Sequence, residues 1–425
     1  MQKELYYFPV KTYTYIPYLE SQKEYVYDQI TTAAFLINSK RFVYDDNGLL
    51  LSSTTNESKT KPITLTNGTI IDEDRTIQTV FTHPSDYPSD ATLAGMVAKN
   101  IISSVVEKTM QLNILNVAGT TTTVPMSYEK NTYNLFGTAY LPQKIEVKIG
   151  NGILYTPITF DTYDARSNLT KYTLRNGQIN TLTYYGTTDL GKTDLLKTQT
   201  VGGGSTGTVL SRTMSYDYVP LIGLSSATDI NGYTSRYLYD GFNRLISIKD
   251  PQNYLLKDLN YHYANQTALS GLDIMPTNTM NYVVSRTARE AQTTATLDSG
   301  VDKTTTQIEY LDGLGRSLQA QIWKGTPDKM KDIITSTMVY DAYGRAYKSI
   351  LPTPSDALTG EYKSTAQTLA SAFYDNDTYP YTETVFEASP LNRPIKQFGA
   401  GQAWRGVGNE KFVEMQYQIA GAGVF

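Results

Sequence analysis

The chain has 425 residues, of which 40% are apolar and 18% are charged, and these fractions are typical of a folded protein and not of a disordered one. A net charge of −4 without any basic block excludes the usual electrostatic signature of a nucleic-acid-binding protein. Cysteine is absent, which excludes disulfides, thiol nucleophiles and thiolate metal sites. The 35 tyrosines, against 12 phenylalanines and 2 tryptophans, favour β-sheet.

Residues 1–80 alternate aromatic and polar residues, as at Tyr25 and Tyr27, which is the period of a half-buried strand. The Asn-Gly pairs at 47–48 and 67–68 predict tight hairpin turns. The first ten residues lack the apolar core of a secretory signal, and no run of about 20 apolar residues predicts a transmembrane segment. Either the protein is cytoplasmic or the chain is a segment of a longer precursor. We expect the segment, because repeat arrays normally carry capping units at their ends and no capping unit is recognisable here.

A short helix is predicted where the alternation stops, from Ser89 to Met96. Ser89 could cap it, with Asp90 in the first turn. Leu93, Met96 and Val97 would then share one face. Beyond residue 100 the β-branched residues resume, and Asn-Gly pairs at 151–152, 176–177 and 231–232 predict hairpins between strands such as 144–149 and 178–185.

The clearest hairpin lies at 307–322, QIEYLDGLGRSLQAQI. Ile308 and Tyr310 share one face of its first strand, while Leu318, Ala320 and Ile322 share one face of the second. The segment between them contains Asp and Gly. These residues favour a tight turn, because Asp can accept hydrogen bonds from neighbouring amides and Gly adopts positive φ.

This hairpin recurs along the chain. Clear copies begin at Tyr239 and Tyr340, a looser copy begins at Tyr163, and degenerate copies occur at 44–49 and 374–376. Internal repetition outweighs local assignments when a fold is predicted. The residues assigned to the structural repeat motif are Tyr163, Asp164, Tyr239, Asp240, Arg244, Tyr310, Asp312, Gly313, Gly315, Arg316, Tyr340, Asp341, Gly344 and Arg345.

The repeat suggests how hairpins associate. An Arg at the start of the return strand can lie over an aromatic ring of the neighbouring hairpin, which contributes roughly 0.5–2 kcal/mol. A lone hairpin is marginal in water, so the units must pair edge to edge. We predict a mainly β protein: an array of antiparallel hairpins forming a long twisted sheet, a spiral or a partial shell. Tyr310, Arg316, Tyr340 and Arg345 should then contact neighbouring hairpins and not line a ligand pocket.

Two segments interrupt this pattern. Residues 264–305, which include Pro276, predict a long connection. Thr365–Phe373 predicts a second helix capped by Ser364, with a loop containing one helical turn as the alternative. We divide the chain into an N-terminal region (1–155), a first set of repeat hairpins (156–285) and a second set beginning with the YLDGLGR hairpin (286–425).

The motifs YDGFNRL (239–245), YLDGLGRSLQ (310–319) and YDAYGRA (340–346) resemble the YD repeats of the RHS family, which includes the shells of Tc insecticidal toxins and the teneurins. Residues 379–404, 83–110 and 136–147 resemble flanking regions of the versions found in Bacteroidota. The resemblance covers most of 80–405. It implies a structural shell that encloses or displays a C-terminal cargo, and secretion to the cell surface by a type IX route.

Many RHS proteins end their repeat core at a self-cleaving Asp-Pro-x-Gly site. The single Asp-Pro here, Asp250-Pro251, is followed by Gln252-Asn253 and departs from that pattern. The resemblance therefore implies that the self-cleaving core and any C-terminal toxin lie outside this chain.

Catalytic signals are sparse. The chain has only two histidines, His83 and His262, which leaves little material for a Ser-His-Asp triad or a His-rich metal site, so each is expected to be packed or on the surface. The stretch 202–207 satisfies G-x-G-x-x-G but precedes a strand-like segment instead of a helix, which favours a hairpin loop. The acidic groups at 72–74 and 375–377 lack a complete calcium loop and are expected to be solvated turns.

Three functions stay open on these grounds. The first is a non-enzymatic shell or scaffold segment of a large secreted or cell-surface protein, without cofactor or metal. Its partners would be further YD repeats of the same polypeptide, an enclosed cargo, or secretion and surface machinery. The second is a carbohydrate-binding adhesin that stacks sugar rings on exposed aromatics. The third is a carboxylate-based hydrolase, for which paired acids about 5–9 Å apart would be needed.

Overall fold

The fold was obtained as a computed structural model, which describes residues 19–27, 35–45, 48–59, 63–64, 70–71, 74–115, 120–202, 211–267, 274–292, 297, 300–406 and 409–419. Within these residues the protein is nearly all β, with a 25-stranded sheet, two two-stranded sheets and two α-helices. The predicted fold class is thereby confirmed. No helix in the described part of the chain is long and apolar enough to span a membrane.

The first region contains nine strands and helix α1, Ala91–Ala98, which follows a 3-10 turn at Pro84–Asp86. The strands are β1 (Leu19–Tyr27), β2 (Phe35–Tyr44), β3 (Leu50–Lys59), β4 (Ile63–Thr64), β5 (Ile70–Ile71), β6 (Asp74–Thr82), β7 (Glu107–Leu115), β8 (Thr121–Phe136) and β9 (Ala139–Ile149).

A second run of nine strands has no helix among its described residues. These strands are β10 (Tyr155–Tyr163), β11 (Leu169–Leu174), β12 (Ile179–Tyr184), β13 (Leu196–Val201), β14 (Arg212–Val219), β15 (Gly223–Thr228), β16 (Thr234–Tyr239), β17 (Leu245–Lys249) and β18 (Leu255–His262).

The last run contains helix α2, Ala366–Phe373, and a 3-10 turn at Gln402–Trp404. Its strands are β19 (Asn281–Ala288), β20 (Thr304–Leu311), β21 (Ser317–Ile322), β22 (Ile333–Tyr340), β23 (Ala346–Ile350), β24 (Thr353–Pro354), β25 (Tyr381–Phe386), β26 (Pro394–Phe398), β27 (Arg405–Gly406), β28 (Asn409–Glu410) and β29 (Val413–Ile419).

Strands of the large sheet pair antiparallel with their sequence neighbours from β6 through β23. Strand β25 then pairs with β23, and β29 pairs with β26 on one side and β1 on the other. Because consecutive strands alternate in direction, their connections fall alternately on two opposite rims of the sheet. Pairing runs continuously through residues 155 and 285, and the division into three regions stays a prediction.

Several hairpins lie where the Asn-Gly pairs predicted them. Residues 151–152, 176–177 and 231–232 connect β9 to β10, β11 to β12 and β15 to β16, and each of these strand pairs is antiparallel. Of the pair at 47–48, Gly48 lies in the turn between β2 and β3, while Asn47 and the pair at 67–68 lie outside the described residues.

Helix α1 is present, but its predicted cap is wrong. Asp90 is the N-cap, and its Oδ1 accepts hydrogen bonds from the backbone N–H groups of Thr92 at 2.9 Å and Leu93 at 3.0 Å. A carboxylate one residue closer to these donors displaces Ser89 from this role. Leu93 and Met96 are buried against Val106, whereas Val97 is 37% exposed and lies off the predicted face.

Three further sequence predictions need correction. Helix α2 has Thr365, not Ser364, at its N-cap position. Residues 374–376 follow this helix and do not form a hairpin; Asp375 and Asn376 have φ of 54° and 62°. The supposed connection at 264–305 contains β19, which pairs with both β18 and β20. The buried positions of β19 are Tyr282, Val284 and Arg286. Because one of them is an arginine, the sequence does not show the apolar alternation that predicts a strand.

The buried core is concentrated in the last third of the chain. One cluster comprises Ile274, Tyr282, Val284, Ile308, Tyr310 and Trp323. A second joins β22, β23 and β25 to helix α2, and a smaller one lies under helix α1. Between residues 120 and 254, by contrast, Asn180 alone among the described residues is almost fully buried. This long part of the sheet is half-exposed on both faces.

Candidate functional site: the joints between hairpins

Each clear repeat turn is organised by one aspartate: Asp240, Asp312 or Asp341. Its Oδ1 accepts hydrogen bonds from the backbone N–H groups two and four residues further on, at 2.9–3.0 Å. Its Oδ2 accepts one from Nε of the arginine that begins the return strand, at 2.6–2.8 Å. The aspartate therefore closes the turn and orients the arginine at the same time.

A left-handed residue precedes each of these arginines. It is Asn243, Gly315 or Gly344, with φ of 64°, 79° and 78°, and this region favours glycine and asparagine. Gly313, one of the predicted motif residues, does not need to be glycine, since a Cβ added there would meet open space and Ala342 occupies the corresponding position.

The arginine reaches forward to the next hairpin. Three guanidinium groups lie over an aromatic ring that the following hairpin supplies: Arg244 over Tyr261 at 4.2 Å, Arg316 over Tyr340 at 4.5 Å and Arg345 over Phe386 at 4.7 Å. Arg316 also donates to the backbone oxygen of Gly344 at 2.9 Å. The guanidinium thus connects two hairpins through an ion pair, a stacking contact and a hydrogen bond.

The tyrosine on which the arginine stacks reaches back in turn. Tyr261 donates its hydroxyl to the carbonyl oxygen of Leu245, and Tyr340 donates to that of Ser317, both at 2.9 Å. Each acceptor is the residue directly after the arginine. We call this set of an acidic residue, its arginine and the aromatic residue of the following hairpin a joint.

Glu387, Arg393 and Tyr417 form a further joint that the sequence pattern did not reveal. Arg393 makes two hydrogen bonds of 2.8 Å to the Glu387 carboxylate and lies 4.8 Å from the Tyr417 ring. The turn is two residues longer than the others and carries Glu in place of Asp. The available signal was the sequence Phe-Glu followed six residues later by Arg.

The looser copy at Tyr163 and Asp164 keeps the turn and loses the arginine. Asp164 accepts hydrogen bonds from the backbone of Arg166 and Asn168, and Asn168 stands where the other copies have arginine. Arg166 instead forms an ion pair with Asp194 of the next hairpin.

Tyrosines of the upstream strands make the same backward bond, in which the hydroxyl donates to a backbone carbonyl oxygen earlier in the chain, at 2.7–3.0 Å. The pairs, donor first, are Tyr163 and Pro142, Tyr184 and Leu169, Tyr218 and Leu196, and Tyr239 and Leu224.

Tyr310 lies in a different environment from the other motif tyrosines. Leu311 separates it from Asp312, and because successive strand residues face opposite sides, Tyr310 points into the buried core. It is 0% exposed, donates to the carbonyl oxygen of Gly360 at 2.6 Å and accepts a hydrogen bond from the N–H of Thr277 at 3.0 Å. Burial raises the pKa of its hydroxyl to about 12.

The joints keep their acidic residues ionised. The Arg244 guanidinium and backbone donors hold the pKa of Asp240 below its ordinary value of 3.8. The backbone N–H and guanidinium of Arg316 do the same for Asp312. At Asp341, burial acts to raise the pKa, but the N–H and guanidinium of Arg345 outweigh it, and the net shift is downward. Arg393 lowers the pKa of Glu387 to about 2.

A segment at 351–363, here called the strap, covers the buried face of β20, β21 and β22, the face that carries Ile308 and Tyr310. Polar side chains of the sheet hold its backbone. Gln319 Nε2 donates to Lys363 O at 3.0 Å, Gln321 Nε2 to Glu361 O at 2.7 Å and Trp323 Nε1 to Leu358 O at 2.9 Å. The β21 face opposite Ile308 and Tyr310 therefore carries two buried glutamines, and the predicted Leu318-Ala320-Ile322 face is not the most buried one.

Asp332 and Gly360 complete the strap. The Asp332 carboxylate accepts hydrogen bonds from the N–H groups of Lys324 and Gly360, both at 2.8 Å, and burial raises its pKa. Gly360 has φ of 68°, and a Cβ there would overlap the Ile308 side chain.

A buried ion pair lies beside this core. Arg286 binds both carboxylate oxygens of Asp258, at 2.9 and 2.7 Å, and the two side chains are only 4% and 8% exposed. The backbone of Leu297 satisfies both partners, donating to Asp258 at 3.1 Å and accepting from Arg286 at 2.8 Å.

The residues considered for catalysis are held by ordinary packing. His83 is buried, with its ring nitrogens at 3.2 and 3.1 Å from the backbone oxygens of Ser104 and Leu50. His262 stacks on Tyr282 with a 4.3 Å centroid separation. Asp377 accepts hydrogen bonds from the backbone of Tyr379 and Gln402. Residues 203–207 and 72–73 lie outside the described part of the chain.

Among the described residues, no group of three or more His, Cys, Asp or Glu side chains is placed to hold a metal ion. The repeated feature of this molecule is therefore the joint, whose side chains contact one another and the neighbouring hairpin.

Residues 284–419, about a third of the chain, match the profile of a family described as a domain of unknown function, DUF6443. A comparison with curated proteins gave no match.

Solved structures show a distant similarity. The crystal structure of TcdB2-TccC3-TEV is 11% identical over 89% of this chain and 25% of its own, with a TM-score of 0.47. The TcdB2-TccC3 structure is 12% identical over 89% of this chain and 23% of its own, with a TM-score of 0.45. The pore form of the Photorhabdus luminescens Tc holotoxin is 11% identical over 86% and 23%, with a TM-score of 0.24. The chain thus spans about a quarter of the length of these proteins.

Proposed function

We propose that this chain is a scaffold section of an RHS-type hairpin shell, within a larger secreted or cell-surface protein that encloses or displays a cargo. The joint is the observation that carries the proposal. The repeated acidic residue, arginine and aromatic ring are used to fasten hairpins together, and the same arrangement returns from residue 240 to residue 417. A structural element repeated in this way builds an extended surface, as in other repeat proteins.

The turn acids are poorly suited to a hydrolase of the carboxylate type. Such an enzyme needs one carboxylic acid whose pKa is raised, so that it can protonate a leaving group. Asp240, Asp312 and Asp341 have their pKa lowered and are each bound by an arginine. Their recurrence with the turn fits a structural role.

Protease protection of the complete polypeptide tests the enclosure of a cargo. The gene product that contains this chain would be expressed whole, with an epitope tag on the segment C-terminal to residue 425, and treated with a non-specific protease. We expect the tagged segment to resist digestion in the wild type. Arg316→Ala combined with Arg345→Ala opens two joints and should expose it, whereas Arg289→Ala, outside the joints, should not.

A tagged segment that is digested at the same rate in all three proteins would show that this chain does not enclose it. Detection of the polypeptide only inside intact cells would contradict the proposed secreted or surface location and the type IX route.

The adhesin is the second candidate, because aromatic rings are exposed at turn tips. Tyr343 is 84% exposed and Phe242 is 77% exposed, and rings in such positions can stack on sugars. A glycan array would show binding that Tyr343→Ala and Phe242→Ala abolish. Absence of binding across the array would leave the scaffold function alone.

A further inference from the structure

One side of strands β10 to β17, here called the apolar face, lacks a cover. Residues directly opposite each other on paired strands share a side of the sheet, and successive residues of one strand alternate sides. The apolar face carries half-buried residues that these registers bring to one side, among them Phe160, Tyr172, Leu182, Met214, Tyr237 and Ile248. Helix α1 packs on β8 and helix α2 on β23 and β24, so neither described helix covers it.

The other side of the same strands is polar. It carries cross-strand threonine pairs, such as Thr183 and Thr198 with their hydroxyls 2.6 Å apart. The strap lies on this polar side further along the sheet, since Ser247 pairs with Asp258 and Asp258 shares its side with Tyr310. An antiparallel sheet commonly has one solvated face and one packed face. The apolar face of β10 to β17 is therefore the one that needs a partner.

The charges on the apolar face are all positive. The acidic residues of strands β10 to β18 all lie on the polar side, and they are Asp161, Asp217 and Asp258. Along one edge of the apolar face lie Arg175, Arg212 and Lys257. None of these three is paired with an acidic side chain among the described residues. The edge therefore offers unneutralised cations to a partner.

A shallow groove opens beside this edge. Its volume is about 390 Å³, and it is lined by Pro157, Leu174, Arg175 and Asn176. Leu174 is opposite Ile158 and belongs to the apolar face. An apolar side chain of a partner can thus enter the groove next to a guanidinium group.

Two amide side chains lie in the middle of the apolar face. Asn180 is 2% exposed, and its Nδ2 has no hydrogen-bond partner among the described residues. Gln199 Nε2 lies 3.5 Å from the Tyr172 hydroxyl, across β12, which is the limit of a hydrogen bond and leaves the amide free to turn. On the polar side, Gln319 and Gln321 use the same groups to bind backbone carbonyls of the strap.

These features select a polypeptide as the partner. Lipid tails offer no acceptor for the central amides. A second copy of this face would bring its own cations without a compensating acid, which opposes association. A polypeptide segment supplies both carbonyl oxygens and acidic side chains.

We propose that the apolar face binds an extended, acidic polypeptide segment. The apolar side chains of the segment pack on the sheet and in the groove, its carbonyls accept from Gln199 and Asn180, and its acidic side chains lie against the cationic edge. The surface is independent of the proposed shell function, because it needs only the strands of this chain and not an enclosed cargo.

Fluorescence anisotropy of a labelled peptide with the purified chain tests this. The probe alternates Leu and Thr and ends in two Asp residues on each side, and a matched peptide ends in Lys instead. We expect the acidic peptide to bind with a Kd below 100 µM and the Lys peptide to bind at least about tenfold more weakly at low salt.

Two pairs of substitutions locate the binding. Leu182→Asp with Met214→Asp changes the apolar face and should weaken binding at least about tenfold. Thr183→Asp with Ser215→Asp adds the same charges to the same strands on the polar side and should leave binding within about twofold.

Two further variants leave the apolar centre of the face intact. Arg212→Ala with Lys257→Ala should reduce the preference for the acidic peptide over the Lys peptide. Gln199→Leu keeps the apolar area, removes the amide and should weaken binding about fivefold. Circular dichroism of each variant shows that the sheet is retained.

Several results would overturn the proposal. They are no binding of the acidic peptide at 100 µM, equal binding of the two peptides, and equal weakening by the two aspartate pairs. Self-association of the chain, or flotation with phosphatidylglycerol vesicles, would also overturn it if Leu182→Asp with Met214→Asp abolishes that behaviour, because the face would then bind a second copy or a membrane.

Discussion

At the scale of single residues, the joint shows how a turn can also fasten its neighbour. One carboxylate accepts two backbone N–H groups and one guanidinium, so the arginine is held in position before it meets the next hairpin. An exposed ion pair alone contributes only about 0–1 kcal/mol. The guanidinium also stacks on Tyr261 or Tyr340, and the hydroxyl of that tyrosine donates a hydrogen bond to the preceding hairpin. These contacts add to the ion pair within the same joint.

The two glycines of the YLDGLGR turn should respond differently to alanine. Gly315→Ala places a side chain at φ of 79° and should destabilise the protein by about 1–2 kcal/mol. Gly313→Ala should be neutral or slightly stabilising, since its Cβ meets open space. Urea unfolding followed by circular dichroism measures both, and equal effects would contradict the assigned turn geometry.

The Glu387–Arg393 pair should make the free energy of unfolding depend on pH in the acidic range. The pKa of Glu387 is about 2 in the folded protein and 4.5 ordinarily, so the pair stabilises the fold fully above about pH 4.5 and this contribution is lost as the pH falls towards 2. The urea midpoint of the wild type should therefore fall more steeply in this range than that of Glu387→Gln. Glu309→Gln, at a half-buried position of β20 outside the joints, should follow the wild type.

At the scale of elements, the strap and the buried ion pair separate the last third of the sheet from the rest. The strap contains β24, which pairs with β22, but the strap carbonyls of Leu358, Glu361 and Lys363 accept hydrogen bonds from tryptophan and glutamine side chains. This is why polar residues occupy the most buried positions of β21. Buried polar groups are costly unless they are hydrogen-bonded. The arrangement consequently fixes one path for the strap.

Removing one partner of the buried pair should be severe. Asp258→Ala leaves the Arg286 guanidinium buried without its carboxylate and should destabilise the protein by about 3–5 kcal/mol. The partly exposed pair of Lys130 and Glu107, 3.4 Å apart, provides the control, for which Lys130→Ala should cost no more than about 1 kcal/mol. Chemical denaturation compares them, and similar losses would contradict the burial of Asp258.

The sequence predicted hairpins better than it predicted what covers them. Asn-Gly and Asp-Gly turns, and an arginine following the turn, are local signals, and the strands pair where they indicate. The inward positions of Gln319, Gln321 and Arg286 depend on partners 11 to 44 residues away, which local alternation does not contain. Leu311 separates Tyr310 from Asp312, so Tyr310 points to the opposite face of the sheet from Tyr239 and Tyr340, which directly precede their aspartates. The similarity of the three motifs led to the prediction that these tyrosines are equivalent.

At the scale of the whole molecule, the sheet is uneven in its degree of burial. Residues 120–254 form strands that are half-exposed on both faces, whereas β19 to β22 contain side chains that are 0% exposed. Stability within one protein varies with the density of buried contacts. The strand pairing is continuous between the two parts, so the difference lies in what covers the faces.

Hydrogen exchange should show this difference directly. Amides of β11 to β17 should exchange at least about tenfold faster than those of β19 to β22, because opening them exposes less buried apolar surface. Mass spectrometry of peptides from the two regions measures the rates. Uniform protection along the sheet would mean that a further surface covers the first region in solution.

The backward tyrosine bonds give the sheet a direction of assembly. In each case the donor hydroxyl lies later in the chain than the carbonyl that accepts it, as with Tyr239 and Leu224 or Tyr261 and Leu245. A hairpin that emerges from a ribosome or an export channel with its N-terminus first therefore finds its acceptors already in place. We expect the sheet to form in order from the N-terminal side, with the tyrosine of each new hairpin bonding to the hairpin that folded before it. Folding should be slower and should give more misfolded protein when the hairpins are presented in the opposite order.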